Sequence, residues 1–124
     1  MFFARRAGHR FVDRVEEGGY DKVVADFTKD DDWHELDLSA IIPKNAAWVF
    51  LTIIIGSADD TAEVYFREVG GTDGNYRGRQ YVQVSNKAIV LTSFIPLTDA
   101  GKIEYRVSNV TWTYLHLTVR GWFK

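Results

Sequence analysis

From residue 20 onward the sequence is cut into short runs of β-branched and aromatic residues, each closed by glycine, proline, asparagine or aspartate. That punctuation leaves little room for a helix long enough to bury a face, and it matches the strand spacing of a sandwich or barrel. Eight runs can be marked: KVVADFT, WHELDLS, AWVFLTIII, TAEVYFREV, YRGRQYVQV, KAIVLTSFIPL, KIEYRVSN and WTYLHLTVRGWF. Turn-forming segments such as KDDD, AIIPKN, GSADD, GGTDG and TDAG separate them. No internal repeat or low-complexity tract interrupts the series.

Successive residues of a strand point to opposite faces, so each run can be sorted into two sides. In the second, Leu36 and Leu38 oppose Glu35 and Asp37; in the fourth, Val64 and Phe66 oppose Glu63 and Arg67. In the fifth, Val82 and Val84 oppose Arg77 and Arg79; in the seventh, Ile103, Tyr105 and Val107 oppose Glu104 and Arg106. These four runs have one wet side. The third does not, because Val49, Leu51, Ile53 and Ile55 oppose Trp48, Phe50, Thr52 and Ile54. In the sixth, Ile89, Leu91 and Ile95 oppose Val90, Thr92 and Phe94; in the eighth, Leu115, Leu117, Val119 and Phe123 oppose Trp112, Tyr114, His116 and Trp122. The first is short, with Val23, Ala25 and Phe27 against Val24 and Asp26.

Runs one, three, six and eight are thus apolar or aromatic on both sides, and the other four are amphipathic. An eight-stranded jelly roll divides its strands into sheets 1-8-3-6 and 2-7-4-5, the same two groups. The expected fold is therefore all-β: an eight-stranded antiparallel jelly-roll β-sandwich over residues 20–124, preceded by a short N-terminal arm or helix over residues 1–19. In that topology Phe123 enters the core. Trp48, Phe50, Ile54, Trp112, Tyr114, His116 and Trp122 face outward, forming a patch larger than a monomer usually exposes. A subunit interface is the first reading of those residues. A one-residue error in register, which would return some of them to the core, and stacking against a sugar ring are the others.

Phe3, Ala7, Phe11 and Val15 recur every four residues, which suits a helix ended by Gly18-Gly19, although Gly8 weakens it and an extended arm fits nearly as well. Four arginines in the first fourteen residues give the arm a charge of about +3, against a net charge of −2 for the whole chain. The body is therefore acidic, and the balance makes no global case for nucleic acid. Phe2, Phe3, Arg5, Arg6, Arg10, Phe11 and Arg14 are the arm's candidates for contact with an acidic partner surface; a solubilising helix face is the plainer alternative. No apolar run reaches the ~18 residues of a membrane span. The arginines of MFFARRAGHRFVDR also break any secretory signal core. The absence of cysteine excludes disulfides and thiolate chemistry.

Little else points to a reaction. Asp30, Asp31 and Asp32 with His34, Glu35 or Asp37 offer oxygen ligands for a hard cation such as calcium, but without the glycine and spacing of an EF-hand loop; an acidic turn before an amphipathic strand is the simpler reading. His9, His34 and His116 match no metal-binding spacing, and no serine sits in a G-x-S-x-G elbow. Glu63, Glu68 and Glu104 include possible paired carboxylates but fit solvated sheet positions. Arg77 and Arg79 beside Tyr81 combine basic and aromatic groups, as nucleic-acid sites do, and equally suit a salt-bridged sheet face. The GGTDGN segment reads as a hairpin loop, not a phosphate cradle. Asn109 opens an N-V-T sequon. No catalytic residue, cofactor or metal site is assigned.

DDDWHELDLSAIIPKNAAWVFLTIII, KIEYRVSN and TWTYLHLTVRGWFK together resemble a family of small β-domains found in bacteriophage structural proteins, whose members end in a G-W-aromatic-lysine tail. The resemblance runs from Thr28 to Lys124. It implies a tail-fibre tip or a virion decoration protein, commonly trimeric. With no shaft, collagen-like repeat or coiled coil ahead of the domain, a capsid decoration or cement protein is expected. Such a protein would be located in the virion after assembly in the host cytoplasm, would be non-enzymatic, and would bind the major capsid protein or another virion protein. A carbohydrate- or receptor-binding module of a tail fibre is the alternative.

Overall fold

Side chains that alternate between dry and wet determine which way each strand faces, and two sheets result. In a computed structural model of the protein, which describes residues 10–14, 19–72 and 77–124, these are two four-stranded antiparallel sheets that enclose a common core. The first runs in the order β1 (Phe11–Asp13), β8 (Trp112–Phe123), β3 (Trp48–Ser57) and β6 (Ile89–Pro96). The second runs β2 (Trp33–Asp37), β7 (Lys102–Val107), β4 (Glu63–Arg67) and β5 (Gly78–Tyr81). The runs that are apolar on both sides, the first excepted, lie in one sheet and the amphipathic runs in the other.

Val49, Leu51, Ile53 and Ile55 of β3 and Leu115, Leu117 and Val119 of β8 have no exposed surface, and they face Leu36, Val64, Phe66, Ile103 and Val107 of the opposite sheet. Each such side chain stabilises the fold by roughly 1.5–3 kcal/mol relative to exposure. Along one side of the sandwich β5 closes onto β6: Ser93 Oγ donates to the Arg77 carbonyl (2.6 Å), and Gly78 lies against Ser93 and Leu91.

Three expectations are corrected. Residues 22–28 do not form the first strand. Asp26 folds back so that its carboxylate accepts from the Val23 amide (2.8 Å), and Val24–Asp26 close a 3-10 turn; only Lys22 bridges to Leu117. A short acidic side chain that captures its own backbone competes with strand pairing. The edge position goes instead to Phe11–Asp13, part of the segment whose four-residue periodicity left a helix and an extended arm both open. These residues pair with Phe123, Trp122 and Gly121, so this part of the arm is a strand of the sheet. Phe3, Ala7 and Val15, the other members of that periodicity, lie outside the described residues.

The third correction concerns β8. Its register against β3 slips once between Phe50 and Leu51, where Arg120 is the extra residue, and again between Gly56 and Ser57, where Thr113 is extra. Each bulge inverts the facing of the residues beyond it. Trp122 therefore opposes the inward Val49 and packs against the core, while Phe123 opposes the outward Trp48. Trp112 is buried as well, and its indole N–H donates to the Ser108 carbonyl (3.1 Å).

Candidate functional site

The outer face of the β1-β8-β3-β6 sheet is built around a glycine. At Gly121 a Cβ would overlap the Phe11 ring and the Val12 carbonyl oxygen, so the phenyl group of β1 lies directly over the β8 backbone. Phe11 meets Phe123 edge-on (5.2 Å between ring centres) and Phe50 at 6.3 Å. Phe50 stacks on Phe94 across β3 and β6 (4.5 Å), and Phe94 leans on Phe123 (5.7 Å). Trp48 flanks this quartet, with the Arg77 guanidinium 5.5 Å from its ring. Phe11, Trp48 and Phe94 remain 40%, 37% and 44% exposed. Between Trp48, Phe94 and Phe123 a shallow depression of about 450 Å³ opens, completed by Ala47 and Lys124.

Further along the same face, Tyr114 covers Gly56, where a Cβ would come within 2.6 Å of its ring. Tyr20 stacks on His116 (4.3 Å). His116 Nδ1 is buried without a hydrogen-bond partner among the described residues, and so is Trp122 Nε1. The apolar face continues through Ile54 and the exposed Val90.

Of the seven residues expected on this face, Trp48, Phe50, Ile54, Tyr114 and His116 are there; Trp112 and Trp122 are not, because the two bulges of β8 turn them inward. Phe94, Val90 and Phe123 belong to the face but were not among its candidates. Phe94 was legible in the alternation of its own strand, opposite Ile95. Phe123 was hidden by the bulge.

Of the arm candidates, Phe11 contributes its ring to the quartet, and Arg10 is exposed while its carbonyl accepts from the Lys124 amide (3.0 Å). Arg14 is not free for a partner. It pairs with Asp21 (2.6 Å), whose same carboxylate oxygen accepts from the Val119 amide (2.8 Å), and together they brace the β8 bulge. Phe2, Phe3, Arg5 and Arg6 lie outside the described residues.

The outer face of the other sheet is polar and internally paired. Arg67 binds Glu104 (2.8 Å) with its guanidinium 3.7 Å from the Trp33 ring centre; Arg79 binds Glu63 (2.6 Å), Arg77 binds Glu68 (2.8 Å), and Arg106 binds Asp31 (3.1 Å). Burial pushes the Glu63 carboxyl up, but hydrogen bonds from Arg79 and Tyr65 and the charges of Arg79 and Arg106 outweigh it and hold it below the usual value. Hydrogen bonding from Arg77 does the same for Glu68. The three glutamates weighed as paired carboxylates are thus each engaged by a different arginine.

The acidic turn is similarly dispersed. Asp30 binds the His34 ring (2.8 Å), a hydrogen bond that lowers the carboxyl's pKa; Asp31 holds Arg106, and Asp37 accepts from the Ser39 amide (2.9 Å). Among the described residues no three histidine, aspartate or glutamate side chains converge as metal ligands, and no helix is long and apolar enough to cross a membrane.

No family model, curated protein or solved structure matches this chain.

Proposed function

We propose that this protein is a non-enzymatic structural component of a virion, a capsid decoration or cement protein with a jelly-roll fold of eight strands. It oligomerises, as a trimer, through the outer face of the β1-β8-β3-β6 sheet and attaches to the major capsid protein or another virion protein. The observation that carries this reading is the quartet of mutually contacting rings Phe11, Phe50, Phe94 and Phe123, flanked by Trp48 and left partly open to water. Exposed aromatic surface of this kind is costly in isolation and typical of the centre of a subunit interface. The resemblance of residues 28–124 to bacteriophage structural domains supplies the virion assignment. The paired charges of the opposite face leave the aromatic face as the strongest association surface.

A tail-fibre module that binds carbohydrate is the second reading, favoured by Trp48, whose exposed indole beside the depression is a platform for a pyranose ring. The depression ranks it second, because among the described residues Lys124 is the one charged side chain of its lining and few groups there bind hydroxyls.

Light scattering on the purified protein tests the first reading: a trimer that resists dilution is expected, and Phe94→Ser is expected to break it. A wild-type monomer at every concentration would end the assembly proposal. A specific glycan-array signal lost in Trp48→Ala would replace it with the second.

A further inference from the structure

Resting on the carbohydrate reading of Trp48 and not on assembly, we propose that the depression between Trp48, Phe94 and Phe123 binds an acidic saccharide, a pyranose ring that carries a carboxylate. The groups it offers are aromatic rings and cations. Lys124 completes the lining, and the Arg77 guanidinium lies 5.5 Å from the centre of the Trp48 ring. Glu68 holds that guanidinium through Nε (2.8 Å) and Nη2 (3.5 Å), while Nη1 makes no hydrogen bond among the described residues. Lys124 Nζ has neither an ion pair nor a hydrogen bond among them, whereas Arg14, Arg67, Arg79 and Arg106 each bind a carboxylate. The site therefore presents one cation oriented by its own carboxylate and a second with none.

The backbone around the depression narrows the choice of ligand. The Ala47 amide donates to the Phe123 carbonyl (2.7 Å), the Leu97 amide to the Ala47 carbonyl (2.8 Å) and the Lys124 amide to the Arg10 carbonyl (3.0 Å). These main-chain groups are already used, so an extended peptide, which is held chiefly by main-chain hydrogen bonds, finds few there. A ligand that fits must lay an apolar face on the rings and keep its polar groups in water, since a buried polar group without a partner is costly. A pyranose does so: its C–H face lies on the indole, and its equatorial hydroxyls point sideways into the solvent of a shallow, open site. A neutral sugar gains only that stacking. A carboxylate at the ring's edge adds charge-assisted hydrogen bonds from Lys124 and from the Nη1 edge of Arg77.

Calorimetric titration with tetragalacturonate, and with the same oligomer fully methyl-esterified, tests the site, because the ester keeps every ring and removes every charge. The acid is expected to bind about fivefold more tightly than the ester, the worth of one exposed ion pair, and to weaken as salt is raised. Trp48→Ala is expected to abolish binding, and Lys124→Gln to weaken the acid about fivefold while leaving the ester unchanged. Circular dichroism checks that both variants fold. An ester that binds as tightly as the acid overturns the charge recognition and leaves the pyranose reading of Trp48 standing. Acid binding that survives Trp48→Ala places the ligand elsewhere and overturns the site. An Asp-Phe-Asp peptide that binds more tightly than the acid, and is lost in Trp48→Ala, gives the depression to a protein segment instead. If neither saccharide binds wild type, this inference and the carbohydrate reading fall together, and the assembly reading is untouched.

Discussion

Gly121 and Asp21 show how single positions hold the aromatic face in place. Gly121 is required by its neighbour: with any side chain there, either Phe11 or the β1 backbone must move. Gly121→Ala is expected to destabilise the fold by about 1–3 kcal/mol, the usual cost of overpacking. Because the clash is shared with Phe11, Phe11→Ala should cost less in the Gly121→Ala background than alone. A double-mutant cycle from urea denaturation measures this, and strictly additive effects would mean that the two side chains do not compete for the same space. Asp21 acts through one carboxylate oxygen, which accepts from both the Val119 amide and Arg14. Asp21→Ala leaves a partly buried amide and a guanidinium without that acceptor, a loss of about 2–3 kcal/mol. Asp21→Asn, which keeps an oxygen acceptor, should lose less.

At the scale of the element, the ion pairs on and beside β4 and β5 contribute to the acid sensitivity, together with the lowered Asp30, Asp37 and Asp59. Glu63 and Glu68 are both held below their ordinary value of 4.5 in the folded protein. Their folded form therefore binds fewer protons than the unfolded chain, and their stabilising contribution is fully present above about pH 5 and fades as acid reaches the lower folded values. The melting temperature should fall as the pH drops from about 5 toward about 3. Glu63→Gln should start lower near neutral pH, show a flatter acid slope and converge on wild type at the acid end. Parallel curves would show that the Arg79–Glu63 pair contributes nothing to that slope.

The elements also show what alternation can and cannot convey. β3 was readable because both its sides are apolar from Trp48 to Ile55 and its inward set is uninterrupted. β8 was readable in extent but not in facing. Trp122 and Phe123 are both large and apolar, so swapping them leaves no trace in the pattern. The slip that swaps them is held by Asp21 and Arg14, which lie 98 and 105 residues from Val119 in sequence. Phe11–Asp13 stayed open between helix and extended arm for a related reason: three residues are too few to show a period of two, and the strand exists because β8 offers an unpaired edge. Residues 22–28 had strand composition, but the Asp26 carboxylate turned them aside. The outward set survived in part because Trp48, Phe50 and Ile54 precede any dependence on β8's bulges.

For the whole molecule, the four tryptophans divide according to what they face, and that makes assembly measurable without a label. Trp112 is buried and hydrogen-bonded, Trp122 packs against the core, and Trp33 lies beneath the Arg67 guanidinium. Trp48, at the depression, is the most open of the four to solvent. Trp112→Ala should therefore cost about 3–5 kcal/mol of stability as a core truncation, while Trp48→Ala should leave the isolated fold within about 0.5 kcal/mol. Iodide, which quenches only accessible indoles, should act mainly on Trp48, and Trp48→Phe should remove most of the quenchable emission. If copies cover this face when they assemble, the quenchable fraction of wild type must fall as protein concentration rises, in step with the mass seen by light scattering. An oligomer whose Trp48 stays fully quenchable would have to be held together by some other surface, since any contact that covers Phe94 and Phe123 also shields the indole beside them.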